Sequence, residues 1–224
     1  MIKNISNLGD AALYCDFGQE VNKETNTKVI KYFKSIQKEN IQGVNNLTPS
    51  YNKLIVSFDL KKTNFKSLKK KIEGLDTLNS NTLSGEKIEI PVCCDENFSL
   101  DIKRLEEKLK IDRENIYKNF FNKNFFCYMT GFIAGMPFLG DLDKTMRVKR
   151  LETPRVKVPK GSVGLTEQFA NIYTFESPGG WNIIGNTPKD IFDSSKEIEP
   201  NLINPGDTIT FIRITKDQYQ NYNE

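Results

Sequence analysis

The chain has 224 residues, of which 38% are hydrophobic and 27% are charged, a composition typical of a globular protein with one large or two small domains. Its net charge of +3 is too small to indicate a nucleic-acid-binding protein, and no basic block is interleaved with aromatic residues. No apolar run approaches the length of a membrane span, and the N-terminal sequence lacks the pattern of a signal peptide. We therefore expect a cytoplasmic protein that binds neither nucleic acid nor a membrane.

The absence of histidine limits the chemistry that this chain can perform. It excludes Ser-His-Asp and Cys-His nucleophiles, His-ligated zinc and His general bases. The four cysteines show no Cys-x-x-Cys spacing, so we expect buried free thiols and no metal bound by this chain alone. Any catalysis must use carboxylates, lysines, hydroxyls, backbone amides or residues of a partner.

The first eighty or so residues alternate between predicted strands and helices. Apolar alternation predicts strands over residues 11–17 and 54–58, with room for a further strand around 41–48. Asn22 and Asn64 are suitable N-caps for two amphipathic helices that follow these strands. This order is typical of a split-βαβ, ferredoxin-like α+β unit.

A polar stretch over residues 79–86 predicts a boundary between a first domain of residues 1–84 and a second of residues 85–224. From residue 125 onward, short apolar runs are separated by turns at the spacing that an all-β barrel or sandwich uses. The second domain is therefore predicted to be mostly β.

Two short helices are predicted between a strand at residues 88–92 and these apolar runs. Ser99 is a candidate cap for the first helix and Asp112 for the second. Asn119 falls on the apolar side of the second helix, where its amide would need partners, so it is either a structural hydrogen-bonder or a pocket residue. The polar tail after Lys216 is predicted to be frayed.

The region from Gly131 to Trp181 holds most of the proline and glycine punctuation and the one tryptophan. Pro159-Lys160-Gly161 and Pro178-Gly179-Gly180 each predict a tight turn in which glycine supplies a positive φ. Around these turns lie two hydroxyls and three cations: Ser162, Ser177, Arg150, Arg155 and Lys157. A loop-built surface bordered by cations is a candidate site for an anionic ligand, and the alternative is that these segments are only β-turns.

Ordered motifs along nearly the whole chain resemble one family. They are GDAAL, IPVC, GMPFLGDL, TPRVKVPKGSVG, ESPGGW, IIGNTP and LINPGD. The chain is similar to the family of allophanate hydrolase subunit 1, the B component of 5-oxoprolinase and KipI-like proteins, which contains carboxyltransferase subdomains C and D. The resemblance implies an N-terminal ferredoxin-like domain followed by a cyclophilin-like β-barrel domain.

The resemblance also implies partners and a reaction. A sister cyclophilin-like subunit, with a LamB/YcsF-type third protein in the 5-oxoprolinase case, would complete a complex that uses ATP with Mg to open 5-oxoproline to glutamate. Two alternatives stay open. One is a non-catalytic inhibitor of a histidine kinase, and the other is a carboxyltransferase component of a urea-processing system.

Residues carried over from the family motifs are candidates for the site. The anion-binding candidates share turn or cationic positions and are Arg150, Arg155, Lys157, Gly161, Ser162, Gly179, Gly180 and Trp181. The arginines would hold a carboxylate or phosphate, amides after Gly161 and at Gly179-Gly180 would donate to an oxyanion, and Trp181 would wall the pocket. Catalytic candidates are Ser162, Ser177 and Asn119.

The chain departs from the family pattern at several positions. Asn119 lies near the usual place of a histidine, Phe138 replaces a common tyrosine, and Phe169-Ala170 replaces Gln-Thr. Asparagine can replace one hydrogen bond of histidine but cannot transfer a proton near neutral pH. The Phe169-Ala170 change is expected to remove two polar groups that could face a ligand.

Overall fold

The computed structural model describes residues 1–75 and 85–222, and it divides the chain into two compact units, Met1–Ser84 and Gly85–Glu224. Most of the segment 79–86, predicted as a boundary, lies outside the described residues. Within the described part, the helices are too short or too polar to cross a membrane.

The N-terminal unit is an antiparallel sheet with two helices. Its described elements are β1 (Asn4–Asn7), β2 (Ala12–Asp16), α1 (Lys23–Glu39), β3 (Val44–Pro49), β4 (Lys53–Phe58) and α2 (Phe65–Glu73). The strand order is β1-β2-β4-β3, and each neighbouring pair is antiparallel. The predicted strands and helices are confirmed. Strand β1 was not predicted, because its sequence Asn-Ile-Ser-Asn carries a single apolar residue.

Both predicted N-caps of this unit are confirmed. The Asn22 side chain accepts a hydrogen bond from the Thr25 amide at 2.9 Å, and the Asn64 side chain accepts one from the Ser67 amide at 3.0 Å. These bonds satisfy amides at the helix start that have no partner within the helix. Each helix therefore begins where the sequence predicts.

The barrel unit contains a closed seven-stranded barrel with a separate two-stranded ribbon. Its strands are β5 (Lys87–Cys93), β6 (Asn124–Thr130), β7 (Pro137–Gly140), β8 (Arg155–Val158), β9 (Ser162–Thr166), β10 (Phe169–Ile172), β11 (Ser177–Gly179), β12 (Asn182–Asn186) and β13 (Thr208–Ile214). Its helices are α3 (Ile102–Leu109), α4 (Arg113–Phe121), α5 (Lys216–Gln220) and a 3-10 turn at Lys144–Met146. The barrel order is β10-β7-β6-β13-β5-β12-β9, and β11 pairs with β8 in the ribbon.

The barrel is closed by the pairing of β10 with β9, which joins the two ends of the sheet. Of the two mostly-β architectures predicted, the barrel is therefore the one formed. Its core includes the rings of Phe120 from α4, Phe125 and Phe211, whose centroids lie 4.8 to 5.4 Å apart. Helix α4 thus covers the barrel core with an aromatic side chain.

Two predictions about helices in this unit are wrong. Ser99 does not cap α3, because its hydroxyl donates to the Ile184 carbonyl of β12 at 2.9 Å, and Asp101 occupies the N-cap position without a side-chain cap bond. The tail after Lys216 is not frayed, since it forms α5. At its start, Thr215 and Gln218 form a capping box, in which the side chain of each residue accepts a hydrogen bond from the backbone amide of the other. Asp112, by contrast, caps α4 through the Asn115 amide at 3.0 Å, as predicted.

The buried Asn26 amide provides a test of the N-terminal unit. Its Nδ2 donates to the carbonyls of Ser50 and Tyr51 at 3.0 and 2.9 Å, which connects α1 to the β3–β4 turn. We expect Asn26→Ala to lower the free energy of unfolding by about 2 kcal/mol, because both carbonyls lose this donor. Thr27→Ala, at the neighbouring half-buried position, should change stability by less than about 0.5 kcal/mol, because its hydroxyl bonds only to the Lys23 carbonyl of its own helix. Urea denaturation of both variants measures the difference, and equal midpoints would contradict the role assigned to Asn26.

Candidate functional site

The outer face of the barrel carries a second buried cluster. Ala170 and Ile172 of β10 belong to the barrel core, so Asn171 between them points to the outside. On the outside, a separate cluster contains four buried residues, which we call the outer-face cluster: Met136, Val158, Tyr173 and Ile183. Val158 belongs to β8, so the ribbon contributes directly to this cluster.

The Tyr173 hydroxyl lies at the centre of this region. Tyr173 is 1% exposed, and its oxygen accepts hydrogen bonds from the Asn171 side chain and the Trp181 backbone amide. Burial raises the pKa of Tyr173, while these two donors and the charges of Arg150 and Arg155 lower it, with a net upward shift. Tyr173 therefore stays protonated at neutral pH and can donate one hydrogen bond.

Arg155 forms a bidentate ion pair with Asp101. Its Nη1 and Nη2 donate to the two carboxylate oxygens at 3.0 and 2.6 Å, and Asp101 is 5% exposed. The same carboxylate accepts the Ile183 amide at 2.7 Å. An anionic ligand of Arg155 would have to share the guanidinium with Asp101, so ligand binding by Arg155 stays a prediction.

Arg150 lies on the same side and has a different environment. It is exposed, and no carboxylate of the described residues forms an ion pair with it. A Cβ built on Gly180 would lie 3.3 Å from its Nε and Nη2, which places the guanidinium directly over this glycine. Of the three predicted cations, Arg150 is thus the one with its charge uncompensated.

The second predicted turn is wrong. Ser177–Gly179 forms strand β11, which pairs antiparallel with β8. Positive φ angles occur at other glycines and not at Gly179 or Gly180. The small residues serve close packing: a Cβ on Gly179 would lie 2.1 Å from the Tyr173 hydroxyl oxygen. Trp181 follows Gly180 in the sequence, and its ring contacts the ring of Phe138 edge-to-face, with the centroids 5.6 Å apart.

The first predicted turn is confirmed. The Ser162 amide donates to the Pro159 carbonyl at 3.2 Å, and Gly161 has φ of 80°. The Gly161 amide donates to the Tyr173 carbonyl at 2.7 Å. The Ser162 amide, one of the amides predicted to donate to an oxyanion, is thus already bonded to a backbone carbonyl, and the oxyanion role stays a prediction.

The remaining candidates lie in different surroundings. Lys157 is exposed and pairs with Glu176 at 2.8 Å, which raises the pKa of the lysine. The Ser177 hydroxyl oxygen is buried and has no hydrogen-bond partner among the described residues. Asn119 is exposed, so the buried position expected for it is wrong, and its Nδ2 lies 4.0 Å from the sulfur of Met146.

Sequence reasoning missed the residues that organise this region. Tyr173 and Asn171 were seen only as part of an apolar run, and Asp101 only as part of a helix start. The one available signal was an asparagine inside an apolar strand, because a buried amide needs specific partners. Asn182 carries the same signal in β12, and its Nδ2 donates to the carbonyls of Lys149 and Leu165 at 3.1 and 3.0 Å.

A cavity of about 160 Å³ is present elsewhere on the barrel unit. Its walls come from the Lys160-Gly161 turn, from residues 187–191 after β12, and from Tyr219 of α5. Tyr173 also lines it, and the Tyr173 carbonyl accepts a hydrogen bond from the Gly161 amide. The predicted turn at Gly161 is therefore part of this cavity.

The comparison with known families assigns the chain to a family with a carboxyltransferase domain. The model of the carboxyltransferase domain, subdomain C and D, matches residues 3–203. The chain belongs to this family. The motifs at the β8–β11 ribbon and at the Gly161 turn both lie within the matched residues.

Individual relatives agree with this assignment. The chain is 30% identical to the B component of 5-oxoprolinase from Bacillus subtilis over 98% of this chain and 96% of that protein. It is 26% identical to the solved structure of TTHA0988, with a TM-score of 0.82 over 91% of this chain, and it spans 40% of that chain. The K. lactis urea amidolyase shares the fold with a TM-score of 0.75 at 19% identity, over 96% of this chain and 15% of that one.

The Asp101 ion pair can be tested against a second bidentate pair in the same unit. We expect Arg155→Ala to lower the free energy of unfolding by about 2 to 3 kcal/mol, because it leaves a buried carboxylate without its cation. The loss is not larger because the side chain of Arg155 is 29% exposed. Arg213 pairs with Glu114, and these side chains are 43% and 66% exposed, so Arg213→Ala should lose less than about 1 kcal/mol. Urea denaturation compares the two, and equal losses would refute a structural role for Asp101.

The adjacent glycines of the ribbon give a second test. We expect Gly179→Ala to destabilise the protein by about 2 kcal/mol or more, because the new methyl group collides with a buried tyrosine hydroxyl. Gly180→Ala should lose less than about 1 kcal/mol, since its nearest neighbours are atoms of the exposed, flexible Arg150 side chain. Thermal unfolding of both variants checks this order, and a more damaging Gly180→Ala would contradict the packing described.

Proposed function

We propose that this chain is a non-autonomous subunit of an ATP-dependent hydrolase of the 5-oxoprolinase type, which opens a cyclic amide together with a sister cyclophilin-like subunit. The observation that carries the proposal is the alignment with the B component of 5-oxoprolinase, which extends over 98% of this chain and 96% of the relative. The similarity to urea amidolyase supports a shared fold only, because the identity is 19%. We therefore place lactam opening ahead of carboxyl transfer.

We also propose that the two units are variants of the ferredoxin-like and cyclophilin-like folds. From β2 to α2, the N-terminal unit has the order β-α-β-β-α with antiparallel neighbours, as in a ferredoxin-like fold. The sheet position beside β2, which a strand after the second helix fills in that fold, is occupied by β1. The N-terminal strand thus completes a four-stranded sheet.

ATP with its magnesium ion has no recognisable site among the described residues. The sequence has no phosphate-binding Gly-rich loop, and the described residues contain no group of three or more carboxylates or cysteines that could hold a metal ion. We propose that the nucleotide is bound by another subunit, such as the LamB/YcsF-type protein.

The contribution of this chain would be to hold and orient an anionic substrate. Arg150 supplies an uncompensated guanidinium beside Gly180, and a planar guanidinium binds a carboxylate through two parallel hydrogen bonds. The neighbouring Gly179 packs on the buried Tyr173 hydroxyl, and Trp181, which follows Gly180, is half-buried against Phe138. Arg150 can bind and orient an anion on this packed surface, and the polarising and proton-transferring groups would come from the partner.

The proposal is tested by ATP hydrolysis in the mixture of this protein with its sister subunits. We expect 5-oxoproline to stimulate hydrolysis, and Arg150→Ala to reduce the stimulated rate about tenfold or more, because a charge-assisted hydrogen bond to the substrate is lost. Arg213→Ala, which removes a different surface arginine, should keep the stimulation.

Size-exclusion chromatography of each mixture separates loss of activity from loss of the complex. No stimulation by 5-oxoproline in an intact complex would overturn the lactam-hydrolase proposal. Stimulation by urea with a biotin-dependent partner would move the function to carboxyl transfer.

A further inference from the structure

The cavity at the Gly161 turn has a rigid wall. The Thr187 amide donates to the Gly161 carbonyl at 2.9 Å, and the Lys189 amide donates to the Thr187 hydroxyl at 3.2 Å. Gly161 is the residue that fits here, because its φ is 80° and a Cβ would lie 2.4 Å from the Thr187 carbonyl oxygen. The backbone of this wall is therefore held by hydrogen bonds of the fold itself.

Helix α5 closes the opposite side. The Tyr219 hydroxyl donates to the Asn186 side-chain oxygen at 2.8 Å, and its ring packs on Phe98 with centroids 4.5 Å apart. The capping box at the start of α5 fixes the helix that carries this ring. An aromatic side chain with a polar tip, held at both ends, is a typical wall of a small-molecule site.

The mouth of the cavity carries charges of both signs. Lys160 and Asp190 form an ion pair of 2.6 Å, and their side chains are 53% and 72% exposed. Lys189 also lines the cavity, and its ammonium donates to the Glu89 carbonyl at 3.3 Å, which leaves its charge without a carboxylate in the described residues. The cavity thus offers a cation for an anion and a carboxylate for an N–H donor.

The space at the Gly161 turn has a volume of about 160 Å³ and is partly open to solvent. An enclosed cavity of about 150 Å³ accommodates benzene in another protein, so this space has room for a group of amino-acid size.

We propose that this cavity is a binding site for a small carboxylate that also carries an N–H donor, such as an amino acid or a lactam acid. The carboxylate pairs with Lys189 and Lys160, and the N–H group donates to the Asp190 carboxylate. Tyr219 covers the apolar body of the ligand. The site itself stands on the cavity's own residues; that its ligand is the substrate of the complex rests on the proposed function.

The test uses the full chain alone, without ATP or partner subunits, in isothermal titration calorimetry with two matched pairs of ligands. One pair is L-glutamate and glutarate, which differ in the amino group, and the other is 5-oxoproline and 5-oxotetrahydrofuran-2-carboxylate, in which a ring oxygen replaces the N–H group. We expect the N–H-bearing member of at least one pair to bind about tenfold more tightly than its partner. Inorganic phosphate serves as the competing anion.

Variants then assign the contacts. Lys189→Gln should weaken all bound carboxylates about tenfold, and Asp190→Asn should remove most of the difference within a pair. Lys123→Gln is the control, because Lys123 is another lysine of the same unit that does not line the cavity; its ammonium pairs with Asp143 at 2.8 Å. Thermal unfolding confirms that each variant is folded.

Three results would overturn the proposal: no saturable binding of any of the four carboxylates, tighter binding of phosphate than of all of them, or binding that neither cavity variant changes. This experiment is independent of the hydrolase assay. If a carboxylate binds in the cavity but ATP hydrolysis is not stimulated, the binding-site proposal stands and the hydrolase proposal fails. If hydrolysis is stimulated but no carboxylate binds in the cavity, the hydrolase proposal stands and its substrate binds elsewhere.

Discussion

The carboxylate of Asp101 connects three parts of the barrel unit, and the arrangement of the candidate site depends on it. It accepts two hydrogen bonds from Arg155 of β8 and one from the Ile183 amide of β12, and it lies at the start of α3. A carboxylate that is 5% exposed is tolerated in a protein only when it is paired and hydrogen-bonded. The ribbon is therefore positioned by electrostatics as well as by the packing of Val158 in the outer-face cluster. Because Arg155 is held in this ion pair, it is poorly suited to bind a ligand reversibly.

Close approach of backbone and side chain shapes the outer face once the ribbon is in place. Gly164 leaves room for Trp181 and for the Asn171 side chain, since a Cβ there would lie 2.9 Å from the Trp181 Cβ and 2.6 Å from the Asn171 oxygen. Gly179 in the same way leaves room for the Tyr173 hydroxyl. At Gly164 and Gly179 a side chain would collide with its neighbours, whereas at Gly161 the positive φ also favours glycine. A sequence shows a glycine in both cases and does not distinguish the two reasons.

Elements governed by local signals could be predicted, and elements governed by distant contacts could not. Asn22, Asn64 and Asp112 cap their helices through amides three residues ahead, so sequence spacing was sufficient. Ser99 has the right side chain for a cap, yet its hydroxyl bonds to the Ile184 carbonyl, 85 residues away in sequence. The apparent turn at Pro178 is a strand because β8 pairs with it, and the polar tail forms α5 because Tyr219 finds Phe98 and Asn186. The sequence was sufficient to place the candidate cations and glycines of the ribbon near one another. It did not identify Asp101 and Tyr173, which are buried among them.

The departures from the family pattern can now be interpreted by position. Ala170 faces the barrel core, so a threonine there could not reach a ligand on the outer face; of the two replaced positions, Phe169 is the one on the outer side of β10. Asn119 is exposed on α4, where it can contact a partner protein or solvent. What the outer face retains is the arginine Arg150 and the tyrosine Tyr173, whose raised pKa keeps the phenol protonated near neutral pH. A hydrolysis that moves protons at neutral pH needs a group that titrates there or a polarising ion. Because the chain has no histidine, that step of the proposed lactam opening would fall to a carboxylate, a lysine or a partner subunit, and the share proposed for Arg150 is to bind and orient the anion.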